Sequence, residues 1–286
     1  TVADPAQLES AIAAALLERR EIVRIDYTGD GRELSGRIKD VILRALKRDD
    51  YTSYIVDSYF YSIRALDGRS HIRITLNYRE TPEQTAEVDR QVRDVLGRLV
   101  TPGMNDHQRV KVIHDWIVLR LAYDTGLSRY TAYEALRTGK AVCQGYALLA
   151  YRMLSAAGIP VRIVEGTVPE GDHAWNLVRV GGRWYHLDVT WDDPVPDRSG
   201  AVSYRYYLKT DDEIRKDHAW TRAYPRADTP YRAAVEAARK ADPERSGFYD
   251  SLESALGWKW LRPEHTAATP DDLRRRLEEA AASGMD

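Results

Sequence analysis

The chain has 286 residues, enough for one large domain or two smaller ones, and 43% hydrophobic with 30% charged residues is ordinary for a soluble protein. Its formal net charge of −2 gives no general attraction to nucleic acid or to an anionic membrane, and no apolar stretch has the length of a membrane span. A single cysteine excludes an intrachain disulfide and does not indicate the compartment. The chain begins at Thr1 and not at Met, so it is either a trimmed form or a mature form that has lost a signal peptide, and the sequence does not choose between them. An exported or cell-envelope location is slightly favoured over a cytoplasmic one, and no N-terminal signal is visible.

The first 80 residues are predicted to form a small α/β domain. Asp4 and Pro5 have the sequence of a helix start, and Asp67–Ser70 is a hairpin-type turn. We expect no chemistry from this region, and its one histidine, His71, is expected to be a surface residue of a strand. Hydrophobic periodicity predicts these elements: a helix over residues 5–16, a strand over 21–28, a helix over 34–48, and strands over 51–66 and 71–78.

Residues 81–225 are predicted to form the core of the protein. Thr81 and Asn105 have the sequence of helix caps, and the apolar residues that follow them predict two helices. The second helix carries His107 and His114. A lone histidine on a helix is more often a buried core residue than a ligand, so we assign neither of them a catalytic role.

The remaining residues, 226–286, are predicted to form a C-terminal helical extension. Helices are expected over 231–240 and over 270–282. The last helix is dense in arginine and glutamate at i, i+4 spacing, which is typical of a solvated face.

The only cysteine, Cys143, is the candidate nucleophile. From Val142 onward the apolar residues follow helical spacing, and Gly158 with Pro160 supplies a stop signal, so the cysteine is predicted in the first turn of a helix. The free N–H groups and the positive end of the helix dipole favour an anion at this position. A buried structural cysteine is the alternative.

Residues 172–194 are predicted to form a β-hairpin. A Gly-Gly pair between two β-rich runs is a strong signal for a two-residue turn, which pairs Val180 with Arg183 and fixes the register. In this register His173 and Asp188 are diagonal neighbours on one face, about 7–8 Å apart at the backbone. That distance is within reach of an imidazole and a carboxylate.

Cys143, His173 and Asp188 follow one another as nucleophile, base and orienting acid. A thiolate attacks an acyl carbon, an imidazole takes and returns the proton, and a carboxylate holds the ring in the right tautomer. Their separations allow a helix and a following hairpin to meet without a long loop. We therefore predict that these three residues are catalytic.

Three motifs carry a resemblance to a known family. They are VCQGYA at residues 142–147, HAWN at 173–176 and DVTWDDP at 188–194, in this order. With them the sequence resembles the bacterial transglutaminase-like superfamily. The resemblance implies a papain-like α+β core, in which a nucleophile helix packs on an antiparallel sheet. It also assigns the family's triad to the same cysteine, histidine and aspartate.

The site needs a second donor to the oxyanion besides the backbone N–H of Cys143. Tyr130, Tyr133 and Gln144 are candidates, and the sequence does not choose among them. The two tyrosines precede the nucleophile closely and are predicted to line the substrate site. Trp175, on the catalytic hairpin, either lines a substrate groove or fills the core.

The sequence DHAW of residues 172–175 recurs at 217–220. Only the first copy is followed by a strand, a Gly-Gly turn and an acidic strand. In the resembling family a similar motif closes the core, so His218 is expected to be structural.

No metal and no cofactor are expected. Zinc sites usually show a local pair such as CxxC or HxxxH, and the sequence has neither; phosphate-binding loops are absent as well. The groups that could act as ligands are Cys143, His173, His186, Asp188, Asp192 and Asp193.

The predicted function is acyl transfer through a Cys143 thioester, with a protein or peptide as substrate and hydrolysis of a peptide or amide bond as the favoured outcome. A protein-crosslinking transglutaminase is one alternative, and the sequence does not separate it from a hydrolase. A noncatalytic interaction module that keeps the fold is the other, and the intact triad argues against it. No oligomeric state is predicted.

Acidic residues on the segments that flank the two catalytic strands could form a rim around the site. Such a rim would concentrate cationic groups, a lysine acceptor or a basic peptide, by a few-fold to about ten-fold at low salt; solubility alone is the other interpretation. Because hydrolysis needs no second cleft and no amine site stands out, hydrolysis is favoured. The six residues are Glu165, Glu170, Asp172, Asp192, Asp193 and Asp197.

Overall fold

A computed structural model describes residues 1–197, 200–258, 267 and 269–282. The fold is α+β, as predicted, and the chain divides into two compact units, Thr1–Thr229 and Pro230–Asp286. The domain boundaries near residues 80 and 225 stay predictions. Among the described helices, none combines the length and the apolar character that crossing a bilayer requires.

The first unit begins with a three-stranded antiparallel sheet in the order β1-β3-β2. Alternate residues of β1 and β3 are buried, and α1 and α2 pack with them in one hydrophobic cluster. Asp4 caps α1 and Asp30 caps α2. The elements are α1 (Pro5–Leu17), β1 (Ile22–Tyr27), α2 (Gly31–Leu46), α3 (Asp50–Ile55), β2 (Val56–Leu66) and β3 (Arg69–Tyr78).

Helix α3 corrects the prediction of one strand over residues 51–66. Asp49 accepts a hydrogen bond from the backbone N–H of Thr52 at 2.7 Å, which caps a helical turn. Tyr51 and Ile55, four residues apart, are both buried on the inner side of this turn. The cap and this packing prevail over the β propensity of the segment.

The rest of the first unit is organised around α7, which is buried on most of its circumference and packs on β6 and β7. The helix caps predicted at Thr81 and Asn105 are both present, and each is a capping box with the glutamine three residues later. The elements are α4 (Pro82–Leu99), α5 (Asp106–Arg120), β4 (Ala122–Tyr123), α6 (Ala132–Thr138), β5 (Lys140–Ala141), α7 (Cys143–Ala156), β6 (Val161–Val168), β7 (Gly171–Val180), β8 (Arg183–Leu187), α8 (Val189–Asp192) and α9 (Asp211–Ile214).

Strands β7 and β8 form the predicted hairpin in the predicted register, with Val180 opposite Arg183. The prediction continues the second strand through residues 188–194, whereas β8 ends at Leu187. Asp188 instead caps the short helix α8. Strand β6, which pairs with the other edge of β7, completes an antiparallel sheet of three strands.

The second unit contains the predicted helices, described here by themselves. Arg239 forms ion pairs with Asp250 and Glu253. Asp272 binds two arginines of the last helix at i, i+3 and i, i+4 spacing, as a solvated face predicts. The elements are α10 (Tyr231–Ala241), a 3-10 turn (Pro243–Arg245), α11 (Ser246–Ala255) and α12 (Pro270–Ala282).

The chain after α9 returns to the sheet and binds the free edge of β6. Thr167 and Ala219 exchange two backbone hydrogen bonds, of 2.8 and 2.9 Å. This approach requires glycine at position 166, because an added Cβ would lie 2.1 Å from the Ala219 carbonyl oxygen and 2.6 Å from the Trp175 ring.

We expect Gly166→Ala to lower the free energy of unfolding by about 1–3 kcal/mol, because the new methyl group overlaps backbone and an indole ring that cannot move freely. Gly36→Ala is the matched control, since a Cβ at this helical position meets nothing within 4 Å. That variant should gain about 0.5–1 kcal/mol from helix propensity. Urea unfolding measures both. Equal effects of the two substitutions would contradict the close approach at residue 166.

Candidate active site

Cys143 is the first residue of α7, as predicted, and its side chain is partly exposed. The N-cap residue, Val142, supplies no side-chain hydrogen bond, and its carbonyl accepts from the N–H of Gly145 at 2.9 Å. The N–H groups of Cys143 and Gln144 are the first-turn donors that the cap leaves for another acceptor. Gly145 lets the helix start close to the preceding chain, because an added Cβ would lie 2.7 Å from the Cβ of Ala141. The absence of a side chain at Gly145 therefore allows α7 to pack closely against residue 141.

His173 lies between the thiol and the carboxylate. Its Nε2 donates to Asp188 Oδ2 at 2.7 Å. Cys143 and His173 line the same two cavities, and the cysteine adds to the interactions that raise the pKa of the imidazole. Because Nε2 is engaged by the carboxylate, Nδ1 is the nitrogen available to the thiol. The structure thus brings the three predicted catalytic residues together.

Electrostatics favours the charged form of both members of the imidazole–carboxylate pair. Burial alone would lower the pKa of His173, but Asp188 and then Cys143 outweigh it and raise the pKa to about 10. Burial alone would raise the pKa of Asp188, but His173 and His218 outweigh it and hold the pKa well below its ordinary value. The pair is therefore an imidazolium and a carboxylate at neutral pH.

His218 contacts the triad, which the sequence does not anticipate. Its Nε2 lies 3.0 Å from Asp188 Oδ2, the oxygen that also binds His173. Its Nδ1 lies 2.6 Å from Asp217 Oδ1. The repeated DHAW motif is the signal that could have found it. His218 is buried, as a structural residue would be, and it also helps to fix the orientation of Asp188.

One cluster of described residues brings together side chains of the kinds that bind metals. Within the described part of the chain, only His173, Asp188 and His218 bring metal-binding atoms within 4.8 Å of one another. The aspartate oxygen already lies 2.7 and 3.0 Å from the two nitrogens. Ligands at zinc–ligand distances of about 2.0–2.1 Å in a tetrahedron would have to be about 3.3 Å apart. As described, the two imidazoles are hydrogen-bonded to the carboxylate, and the expected absence of a metal stays a prediction.

Two cavities share Cys143, Asp172 and His173 in their walls. The first, of ≈ 690 Å³, includes Tyr54 and Tyr130, and we call it the tyrosine cavity. The second, of ≈ 720 Å³, adds further carboxylates, and we call it the acidic cavity. Both volumes lie in the range of ligand sites. A substrate can therefore approach the thiol from both cavities.

The tyrosine cavity contains two of the four residues predicted to bind substrate. Tyr130 lines it and donates its hydroxyl to the carbonyl of Leu127 at 2.9 Å. Gln144 also lines it, and its side-chain amide donates to the Tyr54 carbonyl at 2.7 Å. The hydroxyl of Tyr54 itself is buried and has no hydrogen-bond partner among the described residues. Tyr54, on α3, is missed by the sequence because it lies far from the motifs.

The other two predicted binding residues lie elsewhere. Tyr133 lines a separate cavity with Arg137, which donates to its hydroxyl at 2.7 Å. Trp175 is 1% exposed and donates its indole N–H to His186 Nδ1 at 2.9 Å. Its ring stacks on His173 at 5.8 Å between centroids, so it packs behind the imidazole in the core.

The other histidines of the core differ from His173 in their surroundings. His186 binds Trp175 and Asp211, and burial lowers its pKa to about 4, so it is neutral at physiological pH. His114 is buried between Asp115 and Asp192, and burial is outweighed by these two carboxylates, which raise its pKa.

The six acidic residues predicted as a rim are in different places. Glu165, Glu170, Asp172 and Asp193 line one or both cavities at Cys143. Asp192 is 0% exposed and bonds to His114 and to the backbone of Tyr206, so it is a core residue. Asp197 lines a different cavity, with Val118–Ala122.

Comparisons with known proteins find similarity over the part of the chain that contains this site. Residues 93–189 match the model of the transglutaminase-like superfamily. Over 122 residues the chain is 33% identical to kyphoscoliosis peptidase of Homo sapiens and 31% identical to that of Mus musculus; the match spans 36% of this chain and 18% of each relative. A solved structure of a TGase is 15% identical, with a TM-score of 0.36, and covers 59% of this chain and 51% of that chain.

Proposed function

We propose that the chain, whose residues 93–189 belong to the transglutaminase-like superfamily, performs thiol-dependent acyl transfer through a thioester on Cys143. The observation that carries the proposal is the His173 ring, which is bound to Asp188 at 2.7 Å and lines the same two cavities as Cys143. The favoured outcome is hydrolysis of a peptide or amide bond. The peptidase name of two relatives supports this choice.

In the acylation step the Cys143 thiolate attacks the carbonyl carbon, and the C–N bond breaks as His173 passes its proton to the leaving amine. In deacylation His173 takes a proton from water, whose oxygen attacks the thioester carbon. The C–S bond then breaks, the acid product leaves and the thiol is restored. Asp188 keeps the ring in one orientation throughout.

Two donors are proposed for the oxyanion. One is the backbone N–H of Cys143 at the start of α7. The other is the hydroxyl of Tyr54: the residue lines the same cavity, and its buried hydroxyl has no partner among the described residues. Burial raises the pKa of Tyr54, so its hydroxyl keeps the proton that it would donate. The Tyr130 hydroxyl is already engaged by a carbonyl.

The triad is tested with a p-nitrophenyl ester of an N-acyl amino acid, by phenolate release and by the intact mass of the acyl-enzyme. Cys143→Ala and His173→Ala should form no acyl-enzyme. Asp188→Asn should stay folded and acylate more slowly, by up to about 10⁴-fold, because the ring loses its preferred tautomer. His186→Ala is the control and should still acylate. An active His173→Ala with a silent His186→Ala would contradict the assignment.

The same variants are used to determine whether water or an amine accepts the acyl group from Cys143. A labelled primary amine and a glutamine-containing protein are added while peptide fragments are followed in parallel. Cross-linking remains a second candidate because two cavities meet at Cys143, and transamidation needs room for an amine besides the acyl donor. An extended peptide would also occupy both cavities. If the amine is incorporated in a Cys143-dependent way and no new peptide fragments appear, the proposal that the enzyme is a hydrolase is wrong.

We expect Tyr54→Phe to lower kcat for acylation by about 10²-fold with little change in KM, because the lost donor acts on charge that develops in the transition state. Tyr130→Phe is the matched control: the ring lines the same cavity, and its hydroxyl is bound to a carbonyl. Steady-state measurement of kcat and KM for both variants tests whether the Tyr54 hydroxyl donates to the oxyanion. Equal losses in kcat would exclude Tyr54 as the oxyanion donor.

A further inference from the structure

The acidic cavity is lined by three carboxylates, Glu170, Asp172 and Asp193, and its described lining residues include no lysine or arginine. Its basic group is the His173 imidazole, which is already paired with Asp188. Glu170 and Asp172 are exposed. The cavity therefore presents unneutralised negative charge next to the nucleophile.

The tyrosine cavity differs in this respect. Lys47 and Arg222 line it together with Glu165 and Asp172, so that its charges are balanced. A substrate that spans the thiol would thus meet a negative field in one cavity and a mixed one in the other.

One carboxylate oxygen of Asp193 accepts no hydrogen bond from any described residue. The residue is 3% exposed, and its Oδ2 accepts a hydrogen bond from the Tyr146 hydroxyl. Its Oδ1 is buried and has no hydrogen-bond partner among the described residues. A buried carboxylate oxygen without a donor is costly. Because Asp193 lines the cavity, a donor on a bound ligand could satisfy it.

Apolar side chains surround these carboxylates. Tyr123, Leu127, Trp191 and Val195 line the same cavity, and two of them, Leu127 and Val195, are strongly exposed. Such a wall suits the methylene stem of a long basic side chain, and an indole ring attracts a cation. The lining therefore matches both ends of a lysine or arginine side chain.

We propose that the acidic cavity is a subsite for a cationic side chain, lysine or arginine, of the peptide substrate, and that Asp193 selects its charge. This inference rests on the proposed function, because it places the basic side chain next to the bond that Cys143 attacks. The ammonium or guanidinium group donates to Asp193 Oδ1, and Glu170 and Asp172 add negative charge near the thiol. Burial raises the pKa of Asp193 to about 6, so this carboxylate is ionised at neutral pH.

The single thiol permits a test that does not require catalysis. Methanethiosulfonates convert Cys143 into a mixed disulfide and release methanesulfinate, and they are available as cationic aminoethyl, uncharged methyl and anionic sulfonatoethyl reagents. Rate constants come from intact mass at low salt. The ratio of the cationic to the uncharged rate cancels changes in the reactivity of the thiol itself. We expect a ratio of about ten that falls several-fold in Asp193→Asn and in Glu170→Gln.

The matched control is Glu165→Gln, which removes a carboxylate from the tyrosine cavity. It should lower the ratio less than Glu170→Gln does. Asn at position 193 keeps an acceptor for Tyr146, and if that variant fails to fold, Glu170→Gln at an exposed position decides. A ratio near one in the wild type, or an equal fall in both glutamate variants, would overturn the subsite. A cation preference without any acyl-enzyme would refute the proposed function, and with it the role in a peptide substrate, and would leave only the binding of cations in the acidic cavity.

Discussion

The carboxylate of Asp188 is completely buried and accepts four hydrogen bonds. Its Oδ2 binds two imidazoles, and its Oδ1 accepts from the backbone N–H groups of Thr190 and Trp191, the second and third residues of α8. A buried carboxylate with fewer donors would be strongly destabilising. The requirement for all four explains why β8 stops at Leu187, why a helical turn begins there, and why the 217–220 segment returns to the sheet.

The same turn determines what surrounds the nucleophile. Helix α8 directs Asp192 inward to His114 and leaves Trp191 and Asp193 in the wall of the acidic cavity. On the other side, the N-terminal region supplies Tyr54 and Lys47 to the tyrosine cavity. The sequence predicts no chemistry for that region. Its contribution to the cavity wall shows that the site is built from distant parts of the first unit.

The features that could be predicted from the sequence are those set by residues close together along the chain. The hairpin register follows from a Gly-Gly turn and alternating residues, and the start of α7 follows from helical spacing, so Cys143 and His173 are placed correctly. Tertiary contacts determine the rest. The cap at Asp188 and the burial of α3 override strand propensity, while the contact of His218 depends on a segment that binds β6 by long-range pairing. No local pattern contains that information.

The chemistry depends on a His173 ring that carries a proton at neutral pH. Nitrogen NMR of protein labelled at histidine measures this directly, with the His173 signals identified by their loss in His173→Gln. At a pH of about 7.5 an ordinary histidine is mostly neutral. We expect both ring nitrogens of His173 to show the chemical shifts of an imidazolium, because Asp188 and Cys143 raise its pKa to about 10. A neutral imidazole at that pH would contradict the proposed ion pair.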